Sequence, residues 1–207
     1  MGSTTMSYTF ATRVIDNFSY GLNWGLVGFG SNNARGAMDN IAVQVLPPLT
    51  NIVRTDDFSE TSTLAMFGNL SSGSWTLASG RYTGSPSGSS DLAINMIDMS
   101  GVQRLASTAV LDLSGTVRAT TSGRTGFVFD RYDNGEFKWA GFDVGTKQIL
   151  IGHFTARGGW VVDKEMSFAS LAVDADFDVK ILVKGSTVSL TVAKMIGTTV
   201  VASALTS

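Results

Sequence analysis

Apolar and polar positions alternate along most of the chain with the two-residue period of a half-buried β-strand. The clearest case is 177–184, where Phe177, Val179, Ile181 and Val183 share one face and Asp178, Lys180 and Lys184 share the other. Gly185-Ser186 follows as a two-residue hairpin signal, and 187–192 alternates again. Runs 126–129 and 137–142 flank a turn at Asp133-Asn134-Gly135, and runs 148–154 and 159–162 flank Ala156-Arg157-Gly158. Further strands are expected at 8–15, 24–30, 38–46, 91–97 and 109–113. No segment has the period of a long amphipathic helix; short helical turns are expected only near 102–105 and 167–171. Short strands with frequent turn signals predict an all-β chain, an antiparallel β-sandwich of jelly-roll type.

Composition narrows this reading. Of the 207 residues, 43% are hydrophobic and 15% charged, too apolar for a disordered chain. A net charge of −2 with no basic stripe argues against nucleic acid as a partner. No apolar run reaches the length of a membrane helix, so membrane insertion is not expected. Cysteine is absent, which excludes disulfides, thiolate zinc and a cysteine nucleophile. There are 14 Asp against 3 Glu (Glu60, Glu136, Glu165). Asp favours turns and oxygen-rich metal sites over helix surfaces.

The chain divides at Pro47-Pro48. Residues 1–7 read as a leader, 8–46 as a short block of strands, 47–54 as a linker and 55–207 as the main body. A block of about 45 residues is too small to bury its own core, so it must pack on the rest of the chain or on another molecule. Asp56-Asp57-Phe58-Ser59, Gly73-Ser74-Trp75, Gly80-Arg81-Tyr82, Gly126-Phe127-Val128-Phe129-Asp130 and Trp139-Ala140-Gly141-Phe142-Asp143 come in that order. Together they resemble a laminin-G-like, concanavalin-type β-sandwich domain of a bacterial extracellular, adhesin-like repeat protein. The Gly-rich and Phe-Asp-Asn-Val-like strands that end such domains resemble 25–30 and 37–43, here at the front, with Met38 in place of the Phe. The resemblance therefore implies a chain out of register. It is the end of one tandem repeat plus the start of the next, a circular permutant, or a strand-swapped pair in which 8–46 completes a sandwich.

Three groups carry candidate chemistry. Asp39, Asn40, Asp56 and Asp57 supply oxygen ligands of the kind Ca²⁺ takes, and the resemblance implies that the first and last strands bring them together. The alternative is that these Asp residues cap turns. Arg131, Tyr132, Asp133, Trp139 and Trp160 combine flat aromatic faces with planar polar groups, as binding a glycan requires. The alternative is that the two Trp fill the core. Asp174, Asp176 and Asp178 would share one strand face and repel one another there, or chelate an ion in a loop; they are read as a solvated rim leading into a strand. Catalysis is not expected: the Glu residues are unpaired, His153 is alone, and Gly84-Ser85-Pro86-Ser87-Gly88 is a loop, not a nucleophile elbow. The expected protein is a non-catalytic, cell-surface adhesion module with a structural Ca²⁺. Its partners are a glycan or another surface ligand and the neighbouring domains of a parent chain. The rivals are a glycan hydrolase or lyase on the same fold and a purely structural spacer.

Overall fold

The structure is a computed structural model that describes residues 6–11, 13–15, 18–20, 22, 26–46, 52–60, 67, 72–88, 91–99, 110–131, 135–196 and 199–205. Among these residues seventeen strands follow one another. They are β1 (Met6–Thr9), β2 (Arg13–Ile15), β3 (Phe18–Tyr20), β4 (Leu26–Asn32), β5 (Gly36–Leu46) and β6 (Ile52–Asp56). Next come β7 (Ser74–Ala78), β8 (Arg81–Ser85), β9 (Leu92–Met96), β10 (Val110–Ala119), β11 (Arg124–Arg131) and β12 (Glu136–Asp143). Last are β13 (Gln148–Thr155), β14 (Gly159–Ser167), β15 (Asp176–Lys184), β16 (Thr187–Ile196) and β17 (Thr199–Leu205). None of the described residues forms an α-helix, and no helix is long and apolar enough to cross a membrane.

Two antiparallel sheets pack face to face as a β-sandwich. The larger runs β1-β16-β15-β10-β5-β8-β7, with β17 also on β16 and β6 also on β5. The smaller runs β14-β13-β12-β11-β4-β9, and β2 and β3 pair only with each other. The alternation that predicts the strands also fills the space between the sheets. Every second residue of β10 is buried, and Phe177, Val179, Ile181 and Val183 of β15 are at most 1% exposed. Opposite them lie Phe127, Phe129, Phe142, Ile149 and Ile151 in the same core, with Phe142 and Phe177 meeting at 5.2 Å between ring centroids. Burying each such side chain stabilises the fold by roughly 1.5–3 kcal/mol.

The front block is woven into both sheets. β4 lies between β11 and β9, and β5 lies between β10 and the pair β8 and β6. These are interior positions, bonded on both edges. Strand β1 starts at Met6, which is fully buried, so strand structure reaches into the expected leader 1–7. Residues 52–54 of the expected linker belong to β6, because β-branched Ile52-Val53 continue the ladder along β5; residues 47–51 lie outside the described residues. Two strands share one edge of β16: β17 runs along it until Leu205 stands opposite Leu190, and β1 takes over with Met6 opposite the same Leu190. The end of β17 thus leads into the start of β1 along a single line.

Of the two expected helical turns, 102–105 lies outside the described residues, and 167–171 is a tight turn closed by the Leu171 N–H on the Phe168 carbonyl. Gly185 takes the left-handed conformation (φ 59°) that a two-residue hairpin needs, and Lys184 pairs with Thr187 around it.

Candidate functional site

The face of the smaller sheet that points away from the large sheet carries its own apolar cluster: Ile94, Met96, Val128, Phe137, Trp139 and Leu150, with Phe154 and Trp160 packed against it. Cross-strand partners share a face, so the register reads this surface as rows. One row is Asn32, Arg124, Asp143 and Gln148, on the adjacent strands β4, β11, β12 and β13. The next row along the strands is Gly30, Gly126, Gly141 and Leu150. The row after that is Gly28, Val128, Trp139 and Gly152.

Glycine at these positions has a steric reason. A Cβ added to Gly126 would strike the Ala140 carbonyl oxygen, and one added to Gly141 would strike that of Thr125. The bare backbone leaves a trough, and indoles fill it. Trp160 stands on the edge strand β14, three strands from β11, yet its ring centroid is 6.0 Å from the Arg124 guanidinium. Trp139 is also 6.0 Å from that guanidinium and meets Trp160 at 5.5 Å and 70°. Phe137 and Phe154 stack at 8° beneath this corner, both edge-on to Trp160. Gly30, Asn32, Arg124, Gly126, Val128, Trp139 and Trp160 line a small recess.

The polar side of the recess is held rigidly. Asp143 accepts the N–H groups of Gly145 (2.8 Å) and Thr146 (3.1 Å) on one oxygen, and its other oxygen faces Arg124 at 3.6 Å. The β12–β13 turn therefore fixes the carboxylate, and the carboxylate steadies the guanidinium.

Of the residues expected to bind a ligand, Trp139 and Trp160 come together here. Trp139 is 5% exposed and belongs to the outer cluster, not to the core between the sheets, while Trp160 is half-buried. Arg131 pairs with Leu26 and is 5% exposed, which takes it out of reach of a surface ligand. Tyr132 and Asp133 lie outside the described residues. Asn32, Arg124, Asp143 and Gln148 are absent from the sequence-derived set. The signal for them is the spacing of glycines on alternate strand positions (Gly28 and Gly30, then Gly126, Gly141 and Gly152), which marks one face as bare.

The residues expected to hold Ca²⁺ meet in part. In β5, Asn40 and Ile41 together oppose Gly115, and Asn40 adopts φ 52°, the left-handed residue of a β-bulge. At the same place β5 exchanges its partner β8 for β6, so Asn40, Asp56, Asp57 and Glu60 line one open groove. Each Asp of the set is already an acceptor. Asp39 takes the Asn40 N–H (2.8 Å), Asp56 the Phe58 N–H (2.7 Å) and Asp57 the Ser59 N–H (3.0 Å). The Ser59 hydroxyl and N–H beside Asp57 hold its carboxyl below the usual range. Phe58 sits at φ 55° with its ring buried against Tyr82. Burial and two Asx turns hold that strained residue in place. Among the described residues no three His, Cys, Asp or Glu side chains gather as a metal-holding group.

The acidic group at β15 settles differently from expectation. Asp176 is no solvated rim: Arg118 grips it with two bonds of 2.8 Å and Arg81 adds one of 2.9 Å. The Arg118 bonds hold its carboxyl below the usual range. Asp178 accepts the Thr116 hydroxyl at 3.0 Å. His153 lies at one end of the core, its Nδ1 2.7 Å from Asp163, which occupies the irregularity between β13 and β14. Asp163 also accepts the Tyr8 hydroxyl, so this cluster joins β1 of one sheet to β13 and β14 of the other; burial, then Asp163, raises the Tyr8 pKa.

Comparison with known proteins found no matching family profile, no matching curated protein and no matching solved structure.

Proposed function

We propose that this protein is a non-catalytic, extracellular binding module that recognises glycan on the outer face of the smaller sheet. The observation that carries the proposal is the pairing of a half-buried indole, Trp160, with a fixed polar row. Sugar rings present C–H faces that pack on aromatic rings, and hydroxyls that bond to planar amides, carboxylates and guanidinium groups. Trp160, half-buried and backed by the buried Trp139, supplies the first, and Asn32, Arg124, Asp143 and Gln148 the second.

The test is a glycan array, followed by titration of any hit with the intact protein and with Trp160→Ala. Loss of one aromatic contact worth roughly 0.5–1.5 kcal/mol predicts binding about two- to twelvefold weaker. An unchanged circular dichroism spectrum separates that loss from unfolding. Undiminished binding by Trp160→Ala would show that the site lies elsewhere. Release of reducing ends or unsaturated sugars from a bound glycan would favour the enzyme reading.

A structural Ca²⁺ at Asp39, Asn40, Asp56 and Asp57 is the second reading, supported by the groove that gathers Asn40, Asp56 and Asp57. Binding there would require the Asx turns to release carboxylate oxygens to the ion. Melting followed with Ca²⁺ and with EDTA decides it: Ca²⁺ should raise the transition temperature, and identical curves would remove the ion from the proposal.

A further inference from the structure

Given the glycan-binding reading, on which this inference rests, we infer that the site selects neutral linear glycans that lie across the strands, and discriminates against polyuronates. Direction comes first. Asn32, Arg124, Asp143 and Gln148 stand side by side on four adjacent strands. They form a line perpendicular to the strands that covers three inter-strand spacings, about 14 Å. A linear trisaccharide spans that line, with its hydroxyls facing one planar polar group after another. A chain lying along the strands would instead leave the polar row after a single sugar.

Selection follows from charge. A uronate carboxylate needs a cation without a carboxylate of its own. Arg124 is the half-exposed cation of this face, and Asp143 already answers it at 3.6 Å. Asp143 cannot turn away, because the N–H groups of Gly145 and Thr146 hold it. Glu165, opposite Leu150 on the same face, adds an exposed negative charge. The face therefore offers a fixed donor–acceptor pair suited to vicinal hydroxyls and, among its described residues, no surplus positive charge for an acidic sugar.

Calorimetric titration of the intact protein with neutral β-linked gluco-oligosaccharides of two to six units, and with oligouronates of the same lengths, tests this inference. The expected result is neutral binding that strengthens up to three units and then levels, with oligouronates at least tenfold weaker at low salt. Glu165→Gln removes a charge about 10 Å from the ligand and should strengthen oligouronate binding about twofold, with the neutral series unchanged. Oligouronates binding as tightly as the neutral series, or neutral affinity still climbing through six units, would overturn the inference and leave the glycan site standing. Absence of binding by every glycan would overturn both.

Discussion

Removing residues 1–49 should abolish folding of the remainder, because the front block supplies interior strands. The block places Met6, Phe10, Leu22, Val27, Phe29, Met38, Ile41 and Val43 in the core, each at most 6% exposed. At roughly 1.5–3 kcal/mol apiece their burial amounts to about 12–24 kcal/mol. That is an upper bound, since the unfolded chain already hides part of this surface. It still matches or exceeds the roughly 5–15 kcal/mol net stability of a typical domain. Hydrogen bonding adds to the loss: β10 and β11 would each lose a neighbour along most of their length and expose backbone edges prone to association. A 50–207 fragment should therefore be aggregated or lack a cooperative urea transition by fluorescence and circular dichroism. Adding a separate 1–46 peptide should restore a cooperative transition, since the fold requires the strands and not the peptide bond at 47–49. A soluble, monomeric 50–207 fragment that unfolds cooperatively would refute the reasoning, and with it the view that the two segments build one sandwich.

Asp176→Asn should destabilise the protein by about 1 kcal/mol at pH 7, a figure discounted because the carboxylate is more than a third exposed. The folded-state pKa of Asp176 is depressed, so its contribution is fully present above the unfolded value of about 3.9 and is lost as pH falls through the lower folded value. Urea titrations of both proteins should therefore converge near pH 2, and a gap unchanged at that pH would remove the charge from the explanation. Gly141→Ala should cost roughly 1–3 kcal/mol, as overpacking does, because its Cβ meets the Thr125 carbonyl and the Gly126 Cα across the ladder. A melting temperature equal to that of the parent would show that the strands separate there without strain.

The sequence by itself determined the fold class, the hairpin at Gly185-Ser186 and most inward-facing residues, because a two-residue period depends only on local backbone geometry. It also marked the block 8–46 as unable to stand alone, because that follows from length. Tertiary structure decided what local period leaves open. Alternation shows that Trp139 and Phe142 point to opposite sides of β12, but not which side meets the other sheet; packing put Phe142 against Phe177 and left Trp139 to the outer cluster. Arg124 reads in the sequence as an ordinary polar strand residue, and only the neighbouring strands give it Asp143 and two indoles. Asp176 looks like part of an acidic rim until β8 and β10 bring Arg81 and Arg118 to it across the sheet. The same holds for the shared edge of β16, where β17 and β1 meet at Leu190 from opposite ends of the chain. In each case the deciding contact joins residues far apart in sequence, and its energy comes from strand pairing and burial that exist only once the two sheets have closed on each other.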